Sequence, residues 1–375
     1  MGYFDSFRFK LPFDSTDPNE WADAIELRCM LFEDGSITLN QIQTVIESEV
    51  ENPKNKKLPD FSKTSGKKTF DKELRLRAER HSTKQNLEAA QEDTDEGQNI
   101  PVEEEPLPQE DVQNTSLLFL FRFLAERATV FGKAYPFHFP GPVVGQKIAV
   151  VPKAVRTDKQ QLYLALLLNC GQRHVDKSTQ TKLGHLFEMG CEPLFGKVVP
   201  SCTTKALFGA GAEVENPVFS GNLKERITNL AIKLKVHPGK NLEDRPWEYS
   251  AGDRGADLLA WFSFPGDHAD ARPFYIAQCA AGDNWRGKQN DAGRTKWERK
   301  LHPLPPYIPF LFICRSHRSV NGTWNSIDEV ESHIGLFDRL RMLVFLDEHE
   351  IKTCLITYKN LLAEAEVYTI TDLIE

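Results

Sequence analysis

Apolar residues recur along this chain with two periods, and the change from one to the other divides it. From Glu20 to Leu31, and again from Thr38 to Glu49, they return every three to four residues. This predicts two short helices, the first capped by Asp17 or Asn19, joined by the turn Asp34-Gly35. Ser116 opens a strongly apolar helix through Leu117, Leu118, Phe119, Leu120, Phe121, Phe123 and Leu124 to Phe131, and Lys159 to Cys170 reads as another buried helix. Between them Tyr135 to Pro140 is extended and Gln146 to Pro152 suggests a strand. A further helix starts at Ser178 or Thr179 and places Leu183, Leu186, Phe187 and Leu194 on one face. Beyond it lie an amphipathic helix, Asn222 to Lys235, and continuous apolar runs at Leu258 to Phe264, Phe274 to Ala281 and Pro309 to Cys314 that read as strands. Trp285 to Leu301 reads as helical, and the capping box Ser326-Ile327-Asp328-Glu329 opens a helix through Arg341. Several segments before Asp257 qualify as the first strand of this half.

These elements predict a small helical unit over 1–50, a charged, disordered linker over 51–114, a helical part over 115–175 that completes an N-terminal domain, and an α/β domain over 176–375. The length of 375 residues, 40% of them hydrophobic, suffices for two domains with a buried core. The net charge of −8 argues against a surface coated for nucleic acid, yet the charge is blocked. Asn52 to Lys84 holds eleven Lys/Arg against four Asp/Glu, and Gln85 to Val112 holds ten Asp/Glu and no Lys/Arg. The two blocks read as one solvated segment folding loosely on itself, or as a basic arm for DNA. The seven cysteines are scattered without a CxxC pair, which argues for reduced core residues and against zinc. No signal pattern opens the chain and no apolar run is long enough to span a bilayer, so a cytoplasmic protein without a membrane partner is expected.

The chemistry gathers around one hairpin. Gly252 and Gly255 punctuate a turn, and Asp257 enters the apolar run from Leu258, where a carboxylate needs a cation or a salt bridge. Pro265 to Asp270 is a loop by composition, so the strand after it can return antiparallel and bring Gln278 beside Asp257. For Asp253 a turn cap, and for Arg254 a surface charge, are the plainer readings.

The pattern Gly252-Asp253-x-Gly255-x-Asp257, an apolar strand, a loop, and a strand ending in Gln278-Cys279-Ala280 resembles the core of the PD-(D/E)XK, or restriction-endonuclease-like, nuclease superfamily. The resemblance covers roughly residues 178 to 315. It implies an αβββαβ core in which Asp257 and the residue at 278 bind Mg²⁺ or Mn²⁺, joined by Glu188 from the preceding helix and the backbone carbonyl of Cys279. Gln278 replaces the usual acid and Ala280 the usual Lys, so Lys288 in the following helix is the substitute, with Lys296 in reserve. Trp285 and Trp297 lie in a run with eight Lys/Arg from Arg286 to Arg318 against two acids. Within it Arg286, Arg294, Lys296, Arg299 and Lys300 are expected to contact phosphates. The implied function is metal-dependent hydrolysis of DNA, with RNA second, in restriction or antiviral defence. The alternative is a nuclease fold that has lost activity and serves as a nucleic-acid clamp or assembly subunit. The chain has no GxxxxGK[ST] loop, so a partner ATPase or helicase is a further expectation, and self-association stays open.

Overall fold

The computed structural model describes residues 2–50, 109–140, 147–208, 219–239, 256–264, 266 and 268–368. Most of the expected linker, and Gly252, Asp253, Arg254 and Gly255, lie outside the described residues.

The N-terminal half comprises α1 (Pro18–Leu31), β1 (Ser36–Thr38), α2 (Leu39–Val50), α3 (Gln109–Phe131), β2 (Phe137–His138), β3 (Lys147–Val150) and α4 (Asp158–Cys170). Helix α1 starts where Asp17 accepts a hydrogen bond from the Asn19 amide at 2.9 Å and Pro18 fills the first turn, where a missing N–H costs nothing. Helix α4 opens with a Thr157/Gln160 capping box. Every residue from Leu162 to Cys170 is buried, as befits a helix apolar on all sides. The three short strands pair antiparallel in the order β1-β3-β2. Helix α3 begins at Gln109, ahead of the expected Ser116.

The second half runs α5 (Lys177–Val198), β4 (Thr203–Leu207), α6 (Leu223–Leu234), β5 (His237–Pro238), β6 (Leu258–Phe262), β7 (Phe274–Ala280), α7 (Trp285–Lys288), α8 (Arg294–Trp297), β8 (Leu301–His302), β9 (Tyr307–Ile313), β10 (Gly335–Phe337), α9 (Arg339–Phe345) and α10 (Glu348–Val367). Five strands form a mixed sheet in the order β10-β9-β7-β6-β4. The pairs β4–β6 and β6–β7 are antiparallel, and β7–β9 and β9–β10 are parallel. The chain is therefore a mixed α/β protein, and no helix among the described residues is long and apolar enough to cross a membrane.

One apolar cluster extends from Phe4 to Ala365 and so joins the N-terminal helices to the sheet. Within it Arg127 donates to Asp23 (2.7 Å) and Glu26 (3.0 Å), while Arg339 donates to both Asp23 oxygens (3.1 and 3.2 Å). Tyr135 and Tyr163 each donate to Glu26 at 2.7 Å. Burial alone would push the Asp23 carboxyl up, but the Arg339 and Arg127 guanidiniums outweigh it and hold Asp23 below the usual carboxylate range. All seven cysteines are reduced. Six are buried and Cys202 is exposed, and the Cys170 and Cys314 sulfurs lie 3.1 Å apart.

Three expectations change. Asp176, not Ser178 or Thr179, caps α5, accepting from the Thr179 amide at 3.0 Å. The single helix expected from Trp285 to Leu301 is two one-turn helices separated by Gln289–Gly293. The capping box at Ser326 opens only one 3₁₀ turn, because Gly335 to Phe337 leaves the helical pattern to pair with Phe310 to Phe312 as the edge strand β10.

Candidate functional site

Asp257 is fixed from both sides before its carboxylate is considered. Its amide donates to the Ala277 carbonyl at 2.8 Å, and its own carbonyl accepts from the Phe208 amide at 2.7 Å. The register that pairs Leu258 with Ala277 puts Gln278 opposite Asp257. Gln278 Nε2 donates to Asp257 Oδ2 at 2.6 Å, and the Cys279 amide donates to the same oxygen at 2.5 Å. Both side chains are enclosed, with Asp257 0% and Gln278 2% exposed. Because the Gln278 amide nitrogen faces Asp257, its Oε1 is left buried with no hydrogen-bond partner among the described residues. The two hydrogen bonds to Oδ2 make Asp257 costly to truncate, since its removal strands two buried donors.

Strand alternation then separates the expected ligands. The Cys279 side chain points toward α5, where it meets Cys191. Gln278 and Ala280 belong to the other face, and Ala280 packs in an apolar cluster with Trp285, Leu311, Ile313, Ile334 and Leu336. A lysine at 280 would project into that cluster, which is a physical reason for alanine there. Burial, then Cys191 and then Glu188, push the Cys279 thiol far above its usual range, so the side chain stays protonated and only its backbone is available as a ligand.

Glu188, Cys279 and Lys288 are brought together in an open cleft of about 480 Å³ at the end of β7, whereas Asp257 and Gln278 lie behind its wall. One stripe of α5 lines the cleft: Lys177, Thr181, Gly184 and Glu188 recur every three to four residues. The neighbouring His185 also lines it, with Nδ1 3.8 Å from Glu188 Oε2. Lys177 and His185 were absent from the sequence reading. The stripe from Lys177 to Glu188 is visible as a polar face opposite Leu183, Leu186 and Phe187, and it was the signal that could have found Lys177. Among the described residues no three His, Cys, Asp or Glu side chains group as they do around a metal ion.

The expected phosphate contacts divide. Lys300 is a correction: it is 1% exposed, with its ammonium 4.1 Å above the Trp297 ring, and offers no charge to a ligand. Arg286 is held by Glu329 (2.6 Å) and Asp17 (2.9 Å) and lies over Trp285. Arg294 and Lys296 are exposed and pair with Glu298 and Asp291 close by in sequence, so both stay at the surface, as does Arg299. The acids that neutralise Arg286 come from distant parts of the chain, where a local count of charges does not reach. No family model, no curated protein and no solved structure matches this chain.

Proposed function

We propose that this chain is a restriction-endonuclease-like nuclease that hydrolyses phosphodiester bonds in DNA, using the cleft between α5 and α7. The observation that carries the reading is the convergence of Glu188 and Lys288 on one cleft, against Cys279, whose amide holds Asp257. The sheet order supports it: after α5 come three strands, β4, β6 and β7, paired antiparallel, with α6 and β5 inserted between the first two, then two helical turns, the short β8, and β9 parallel to β7.

The residues present fit a divalent cation in one respect. The buried Gln278 Oε1, left without a donor beside the Asp257 carboxylate, is an oxygen that a cation would satisfy. Asp257 and Gln278 would hold Mg²⁺ or Mn²⁺ from behind the cleft wall, whereas Glu188 lines the cleft on the α5 side of β7, so the four expected ligands do not converge on one ion. When bound, the ion neutralises phosphoryl charge and lowers the pKa of water. Lys288 presents a positive charge to the phosphoryl oxygens. Glu188 orients a water by accepting its proton's hydrogen bond. The Gln278 amide nitrogen keeps Asp257 in place.

A second reading is favoured by the full enclosure of Asp257 and by Ala280 in its apolar cluster: a nucleic-acid clamp without turnover. Purified protein incubated with plasmid and with single strands, in Mg²⁺, Mn²⁺ or EDTA, separates them. The nuclease reading expects metal-dependent cleavage that Asp257→Asn abolishes. Binding without cleavage in any metal leaves the clamp, and unchanged cleavage by folded Asp257→Asn removes this site.

A further inference from the structure

Around the cleft the arginines are committed to acids. Arg173 binds Glu20 (3.1 Å) and Asp283 (2.9 Å), Arg315 also binds Asp283, and Arg286 is held by Asp17 and Glu329. Lys177 and Lys288 differ: both line the cleft and neither forms an ion pair among the described residues. They come from separate elements, α5 and α7, so no helix periodicity forces them together. Of the two acids that line the cleft, Asp283 is taken up by Arg173 and Arg315, and Glu188 lies near His185. A Cβ on Gly184 would meet nothing within 4 Å, so the α5 backbone borders open space there. A volume of about 480 Å³ admits a ligand of nucleotide size.

We propose that this cleft binds a phosphate ester of nucleotide size, its phosphate held between Lys177 and Lys288. Lysine suits this task as a mobile point charge that a phosphate can satisfy with any of its oxygens. The inference rests on the same cleft as the nuclease reading, but not on hydrolysis. Lys177 is assigned to binding alone, while Lys288 serves both.

The test is equilibrium binding in EDTA, read by anisotropy of a labelled single-stranded oligonucleotide, with a nucleoside monophosphate and inorganic phosphate as competitors. Lys177→Gln and Lys288→Gln should each weaken binding by about tenfold and lower the slope of log affinity against log salt by about 0.7. Gly184→Leu, whose Cβ meets nothing within 4 Å and whose branches would take up space in the cleft, should weaken it at least as much at an unchanged melting temperature, with Gly184→Ala as a milder control. Glu188→Gln should tighten binding in EDTA, because it removes a negative charge that lines the cleft. Competition by the monophosphate at similar concentration identifies a free nucleotide as the source, and competition by oligonucleotide alone identifies a strand. Unchanged affinity and salt slope in the folded Lys177→Gln/Lys288→Gln double variant overturns the proposal, even if cleavage is observed. Lysine-dependent binding without cleavage leaves the proposal standing and removes the nuclease.

Discussion

At the scale of single residues, Asp257 acts on structure as well as on any chemistry. Its Oδ2 accepts from Gln278 and from the Cys279 amide, both buried. Asp257→Ala leaves both donors unsatisfied at ~1–3 kcal/mol each and should lower stability by about 2–6 kcal/mol in urea unfolding. Asp257→Asn keeps an acceptor and should cost less than half as much, so equal midpoints for the two variants would refute this account of the site. Restoring the superfamily lysine with Ala280→Lys should fail to raise activity and should lower stability, since the ammonium would enter the Trp285, Leu311 and Ile313 cluster. A variant that is both stable and faster would show that the cluster yields. The pairing of Asp257 with Gln278 was legible in the sequence because two apolar runs joined by a polar loop admit one antiparallel return. The separation of Glu188 from them was not, because it depends on which face of β7 meets α5.

At the scale of elements, the segment before α1 is tied to the turn after α4 through His174. The Arg8 amide donates to the His174 carbonyl at 2.6 Å, the Lys10 amide donates to its Nδ1 at 3.0 Å, and Phe9 stacks on the ring at 5.2 Å. Burial, and then Arg173, push the His174 pKa down to about 3 from its usual 6.5. The folded state therefore resists a proton that the unfolded state accepts below about pH 6.5. Stability should be full above that pH and fall by on the order of 1 kcal/mol for each unit toward pH 3. Melting temperatures across this range should show the decline, and His174→Asn, which cannot take the proton, should flatten it. A variant with the same pH profile as the wild type would assign the decline elsewhere. Long helices and apolar strands were read from sequence to within a few residues, as for α4 and β7, because burial on all sides or on one face leaves a regular pattern. Helix α3 began earlier than expected, because its first turns are polar. The region from Trp285 to Arg341 was misread because short turns around Gly293 and the edge strand β10 are set by what they pack against, not by their own periodicity.

At the scale of the whole molecule, a buried ionic network ties sequence-distant halves together. Arg339 in α9 and Arg127 in α3 both reach Asp23 in α1. Replacing Arg339 with Met leaves Arg127 as the counter-ion in direct contact with Asp23 and should cost ~3–5 kcal/mol. Circular dichroism and tryptophan fluorescence should then move together to a lower urea midpoint. Separate transitions would show that the two halves unfold independently. The cysteines turn the same enclosure into a clock. Only Cys202 meets solvent, while Cys29 lies in the N-terminal helices, Cys170 in the central helix, and Cys191, Cys279, Cys314 and Cys354 around the sheet. An alkylating pulse on the native protein marks one thiol at once and each of the others only when its own surroundings open. The order in which the remaining six acquire label would chart which part of the molecule breathes first.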